Sequence, residues 1–168
     1  DEYFSFQPGT FLVVCVHVSY RNKAEIDRGI IAKVLENVSL RIQELFKNDV
    51  FDCEYVLNDC NSYFLMNYSE SVHLSYKQRR DCLQNLLRDV STQYQNLRIT
   101  FAMGDPCCSA GEIWRAVESA EYANMLRLYA GTEKVVEHRK LRERLPDTPE
   151  CKFTVEDIQS LLRRIETL

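Results

Sequence analysis

Between Thr10 and Lys140 the apolar residues switch repeatedly between two spacings, and this switching constrains the fold more than any single motif. A strand buries alternate residues or a short continuous run, whereas a helix buries positions three and four apart. "GTFLVVCVHVSY" from Gly9 to Tyr20 is β-branched and apolar, which predicts a buried strand. From Ala24 to Asn48, Ile26, Ile30, Val34, Val38, Ile42 and Leu45 recur at helical spacing, and Ile31 and Leu35 widen the stripe. "VFDCEYVL" and "SYFLMNY" then predict two strands around a polar knot, Asn58-Asp59-Cys60-Asn61-Ser62. Asn and Asp tolerate left-handed turn conformations, so the knot predicts a hairpin.

A second helix is predicted from Tyr76 to Tyr94, with Leu83, Leu86, Leu87, Val90 and Tyr94 on one face. "NLRITFAMG" predicts a fourth strand. Ser109-Ala110-Gly111-Glu112 reads as a capping box opening a third helix, which runs to Tyr129 and stops at Gly131. "EKVVEHR" predicts a fifth, short strand. The order β-α-β-β-α-β-α-β predicts an α/β (α+β) sandwich on a ferredoxin-like core, with a mostly antiparallel central sheet. After Leu141, the prolines and charges of "RERLPDTPECK" predict a linker. An amphipathic helix capped by Thr154 follows, with Val155, Ile158, Leu161, Leu162 and Ile165 on one face. The expected division is a domain over 1–143 and a linker with helix over 144–168.

The charge of −4 lacks the basic stripe that gripping nucleic acid demands. No apolar run approaches the roughly 20 residues of a membrane-spanning helix. The seven cysteines have no C-x-x-C spacing, and Cys107-Cys108 are adjacent, which suits neither an ordinary disulfide nor a zinc site. Thiols in apolar segments behave as small hydrophobes, and a reducing cytoplasm is the expected setting. The sequons at Asn37 and Asn67 then carry no meaning.

Few side chains suggest chemistry. Asp59, Asn61 and Ser62 are candidate ligand contacts at the hairpin, although turn hydrogen bonding is the ordinary use of such residues. His17 shares a strand face with Cys15 and has no ligand partner at metal spacing, so a packed, hydrogen-bonded histidine is expected. His73 and His138 stand isolated in polar contexts. Core packing is the preferred reading of Trp114 over an interface anchor. Cys107 and Cys108 precede a helix start that can lower a thiol pKa, but ordinary thiols are the default.

The segment "AEYANMLRLYAGTEKVV" resembles the GGDEF superfamily, the diguanylate cyclase fold. That family writes Ala-Asp-x-Ala, seven residues, then Gly and a short strand, and Ala120, Glu121, Ala123 and Gly131 hold those places. "LRITFAMGDP" resembles the preceding strand, and the knot sits where the signature hairpin sits. The resemblance spans Thr10 to Lys140 and implies a nucleotide-cyclase-like core. An active member needs carboxylates on the first strand and on the hairpin to hold divalent metal ions, and glycines that admit the nucleotide. Aligned on the family, the acidic positions of the first strand are Val16 and Val18, and the signature becomes Asp59-Cys60-Asn61-Ser62-Tyr63. A family lysine is replaced near Leu128.

The resemblance therefore implies no catalytic residues, no metal and no cofactor. It narrows to the degenerate GGDEF-like middle domains of bacterial transcription regulators, of the AraC-type response regulators or the CdaR/PucR type. The implied role is a non-catalytic sensory, dimerisation or signal-transmitting domain. Its partners would be a second copy, a receiver domain and a helix-turn-helix module through which alone DNA is bound, with no membrane. The competing expectation is a metal-independent nucleotide or small-effector binding domain, or an altered cyclase. A free-standing ferredoxin-like domain is the third.

Overall fold

The computed structural model describes residues 7–22 and 27–144. One five-stranded sheet runs in the order β2-β3-β1-β4-β5. Its strands are β1 (Thr10–Tyr20), β2 (Asp52–Asn58), β3 (Asn61–Tyr68), β4 (Leu97–Met103) and β5 (Val135–Glu137). β1 pairs antiparallel with β3 and β4, β2 pairs antiparallel with β3, and only β4 and β5 are parallel. The first four strands with α1 (Arg28–Phe46) and α2 (Tyr76–Gln93) form the expected ferredoxin-like core. The fold is mixed α/β with helices packed on the sheet.

β1 occupies the middle of the sheet and is buried on both faces. Leu12, Val14, Val16 and Val18 meet α1 and α2 in the larger core. Val13 and Cys15 point the other way, against Ala116, Ala120 and Ala123 of α3 (Ile113–Met125). The small alanines let α3 lie close to the sheet. Gly104, just past β4, marks the closest approach: an added Cβ would stand 2.4 Å from the Ala116 carbonyl oxygen and 2.7 Å from Ser119 Oγ.

Several expected details shift. α1 starts at Arg28, where the Asp27 carboxylate accepts from the Gly29 and Ile30 amides and caps the helix. Its buried stripe is Ile31, Val34, Leu35, Val38, Ile42 and Phe46, while Ile30 and Leu45 are exposed. The capping box at Ser109 does not form. Ser109 accepts from the Gly111 amide at the head of a 3-10 turn, Ala110–Glu112, and Glu112 pairs with Arg115 instead. α3 ends at Met125 and a short α4 (Arg127–Ala130) follows, so the predicted single helix to Tyr129 is interrupted. At the junction the Leu126 amide still donates to the Tyr122 carbonyl, and Arg127 Nη1 donates to the Asn124 carbonyl at 2.8 Å. Gly131, at φ +96°, then releases the chain toward β5.

The first residues of the expected linker are helical. α5 (His138–Arg144) packs back on the domain, with Leu141 buried on the α3 side. The rest of the linker and the amphipathic helix lie outside the described residues. Trp114 corrects the core expectation, because it is 55% exposed with Arg115 stacked on it. No helix among the described residues is long and apolar enough to cross a membrane.

Candidate functional site

The hairpin between β2 and β3 turns on Asp59 and Cys60, and Asp59 adopts a left-handed φ of 52°. The residue types at the knot predicted this turn. The structure does not bring the three candidate contacts together. Asp59 is exposed, with its carboxylate 4.0 Å from Arg28 Nη1. Ser62 is fully buried on the α1 side, 2.7 Å from Ser39 Oγ. Asn61 projects to the other face of the sheet, toward α3.

Asn61 joins a polar cluster there. Its Oδ1 lies 2.8 Å from His17 Nδ1 and accepts from Asn124 Nδ2 at 3.4 Å. With that oxygen as the common acceptor, the His17 proton sits on Nδ1. Tyr63 and Glu121 lie beside this cluster, where the Glu121 charge acts on the Tyr63 phenol. Arg127 is buried beside them and donates to the Asn124 carbonyl. Asn124 Oδ1 is buried with no hydrogen-bond partner among the described residues.

Val16 and Val18 project into the core beneath α1 and α2. His17 lies directly opposite Asn61 on the other face of the sheet. His17 is packed and hydrogen-bonded, as its strand position predicted.

Burial is the chief electrostatic influence on this cluster. It lowers the His17 pKa to about 4, and the Arg127 charge pushes the same way, against the hydrogen bond to Asn61 and the charge of Asp59. Burial also pushes the Cys15 thiol up to about 12, with Glu121 adding to the rise. Tyr63 is raised by burial first and by neighbouring negative charge second. At neutral pH the histidine, thiol and phenol are therefore all uncharged. Magnesium requires hard oxygen ligands, chiefly carboxylates. Here the strand and hairpin present an imidazole and an amide already bonded to each other. Among the described residues no group of three His, Cys, Asp or Glu side chains could hold a metal ion.

A second feature lies beyond β4. Asp105, Tyr122 and His138 border an open cleft of about 860 Å³ between the β4–α3 loop, α3 and α5. His138 Nδ1 is 2.8 Å from Asp105 Oδ2, and Arg142 Nη1 is 3.6 Å from the same oxygen. The Tyr122 ring meets His138 edge-on at 5.5 Å. Asp105 and His138 are distant in sequence, and no spacing signals their meeting. Cys107 lines this cleft, and burial raises its thiol pKa rather than lowering it.

No protein-family model matches the chain, and no curated protein matches it. Among solved structures, the chain is similar to the active GGEEF domain of a diguanylate cyclase from Vibrio cholerae. Identity is 11%, the TM-score is 0.49, and the match covers 78% of this chain and 84% of that one.

Proposed function

We propose that this chain is a non-catalytic, signal-transmitting and dimerising domain of a bacterial transcription regulator. The observation that carries this reading is the pairing of His17 with Asn61 at the mouth of the hairpin. Two-metal phosphoryl transfer needs carboxylates that bridge metal ions to phosphate oxygens. In this chain the strand residue facing the hairpin at Asn61 is a neutral imidazole, and Val16 and Val18 beside it carry no carboxylate. The hairpin position is an amide, and Asn124 ties it to the last turn of α3. The cluster thus joins hairpin, central strand and helix into one unit, which suits a domain that relays a change of packing. In this reading a receiver precedes the domain, and a helix-turn-helix module of AraC type follows it and binds DNA. A twofold pair of domains matches paired DNA half-sites.

The test has two arms. The chain is incubated with GTP and Mg²⁺ or Mn²⁺, and nucleotide products are resolved by chromatography. No cyclic dinucleotide above the protein-free control is expected, and measurable turnover overturns the reading. The second arm is the natural reading frame around the chain, where a receiver on one side and a helix-turn-helix module on the other are expected.

The cleft at Asp105, Tyr122 and His138 favours a second reading, metal-independent binding of a nucleotide or small effector. Calorimetry with GTP, ATP and cyclic dinucleotides separates the two. Saturable binding lost on Tyr122→Ala would favour the effector domain.

A further inference from the structure

We infer that the free edge of β2 is the seam of a twofold dimer, in which β2 of two copies pair antiparallel about Val56. The inference rests on the reading of the chain as a dimerising domain and names the surface it uses.

Among the described residues β2 is an outer strand of the sheet, with no strand on its other side. Its free hydrogen-bonding side follows from the register. The Val18 amide donates to the Cys60 carbonyl, so alternate residues of β3 from Ser62 onward bond toward β1. Asn61, Tyr63, Leu65 and Asn67 therefore bond toward β2, where they oppose Asn58, Val56, Glu54 and Asp52. The backbone groups of Cys53, Tyr55 and Leu57 point outward. Asp52 Oδ1 already accepts from the Cys53 amide at 2.9 Å, which closes that end. Tyr55 and Leu57 remain.

Natural edge strands are blunted by charged side chains, lysine above all, and by proline, bulges or a covering element; the charges on β2 are Asp52 and Glu54, both toward one end of the strand. "DCEYVLN" has no lysine and no proline, and its pairing with β3 runs without a bulge. Its exposed residues include Val56 at 67% and Leu57 at 41%, an apolar pair on an open edge. The other edge, β5, is only three residues long.

One twofold register uses these features together. With Val56 opposite Val56 of the second copy, Tyr55 falls opposite Leu57 and Leu57 opposite Tyr55. Tyr55 and Leu57 then exchange backbone hydrogen bonds with their counterparts on both sides of the axis. The Val56 pair occupies the closer, non-hydrogen-bonded position, where apolar side chains meet best. Glu54 falls opposite Asn58, so neither acid of the strand faces its own copy. Tyr55 already stacks on Phe64 at 6.1 Å, and the incoming Leu57 would cover its free side. A register centred on Glu54 would set two carboxylates face to face and is disfavoured. The pairing makes one continuous ten-stranded sheet.

The experiment compares the whole chain with Val56→Lys by equilibrium sedimentation, with circular dichroism to check folding. It then compares Val56→Cys with Glu54→Cys for covalent dimers formed under dissolved oxygen. The parent's own cysteines set the background. A dimer weakened at least tenfold by Val56→Lys is expected. Val56→Cys should cross-link at least tenfold faster than Glu54→Cys, because only residue 56 meets itself. A dimer unchanged by Val56→Lys, with equal cross-linking of the two cysteine variants, overturns the seam and leaves the dimerising role standing. A strict monomer at high concentration overturns both.

Discussion

His17 and Asn61 stand opposite each other across β1 and β3, with Nδ1 of the histidine 2.8 Å from Oδ1 of the amide. The bond has a consequence for stability because the histidine is buried and held neutral, with a pKa near 4 against an ordinary 6.5. Above pH 6.5 the imidazole is neutral in both folded and unfolded chains, and its titration costs nothing. As pH falls from 6.5 to 4, the unfolded chain takes up a proton that the folded chain refuses. Stability is therefore lost across that window. At pH 4.5 the loss is on the order of 2 kcal/mol. Urea unfolding at pH 7 and pH 4.5 measures it. His17→Gln should remove this share of the acid sensitivity while costing stability at neutral pH.

Arg79 makes a separate prediction. It is fully buried in α2, with its guanidinium 3.9 Å over the Tyr68 ring and 5.2 Å from that of Phe46. Its Nη2 donates to the Asp49 carbonyl, and no carboxylate forms an ion pair with it among the described residues. Burial depresses its pKa. The planar group is used for stacking and shape, which lysine does not reproduce. Arg79→Ala and Arg79→Lys should each destabilise the fold, by roughly 2–4 kcal/mol for alanine. If Arg79→Lys matches the parent chain in denaturant, the stacking account fails.

Much of this fold was legible because hydrophobic period and turn chemistry agree. Val14, Val16 and Val18 alternate with Cys15 and His17, and both faces of β1 follow from that alone. The Asp59 turn follows from residue type. Ile30 is exposed and Ile31 buried, because adjacent apolar residues on a helix leave the stripe's rotation open until the sheet sets it. Trp114 is exposed although its size predicts burial, because α3 presents its alanines to the sheet. The helix break after Met125 falls within a segment that has no glycine or proline to signal it. The candidate site was legible at Asn61 and His17 only one residue at a time. Asn124, Arg127 and the Asp105–His138 pair meet through tertiary packing.

Gly104 tests how tightly α3 is seated. A methyl group there would press on the Ala116 carbonyl and on Ser119 Oγ, whose hydroxyl also accepts from the Asp105 amide at 2.7 Å. Backbone cannot yield as a flexible side-chain end does. Gly104→Ala should cost about 1–3 kcal/mol through overpacking, despite alanine's lower backbone entropy loss. Thermal unfolding of the variant measures this, and an unchanged or raised Tm would contradict the close approach.

Ser39 and Ser62 provide the most discriminating stability test. Their hydroxyls meet at 2.7 Å between α1 and β3, and both residues are fully buried. Ser62 stands beside the hairpin turn, so a ligand role and a packing role predict different results. If the hydroxyls serve only each other, either Ser39→Ala or Ser62→Ala strands one buried polar group and costs about 1–3 kcal/mol. Removing both leaves no stranded group, so the double variant should be less destabilised than the two singles summed. A coupling of about 1 kcal/mol or more is expected from the cycle. Additive singles would show that each hydroxyl has another partner, and would reopen Ser62 as a contact beyond this pair.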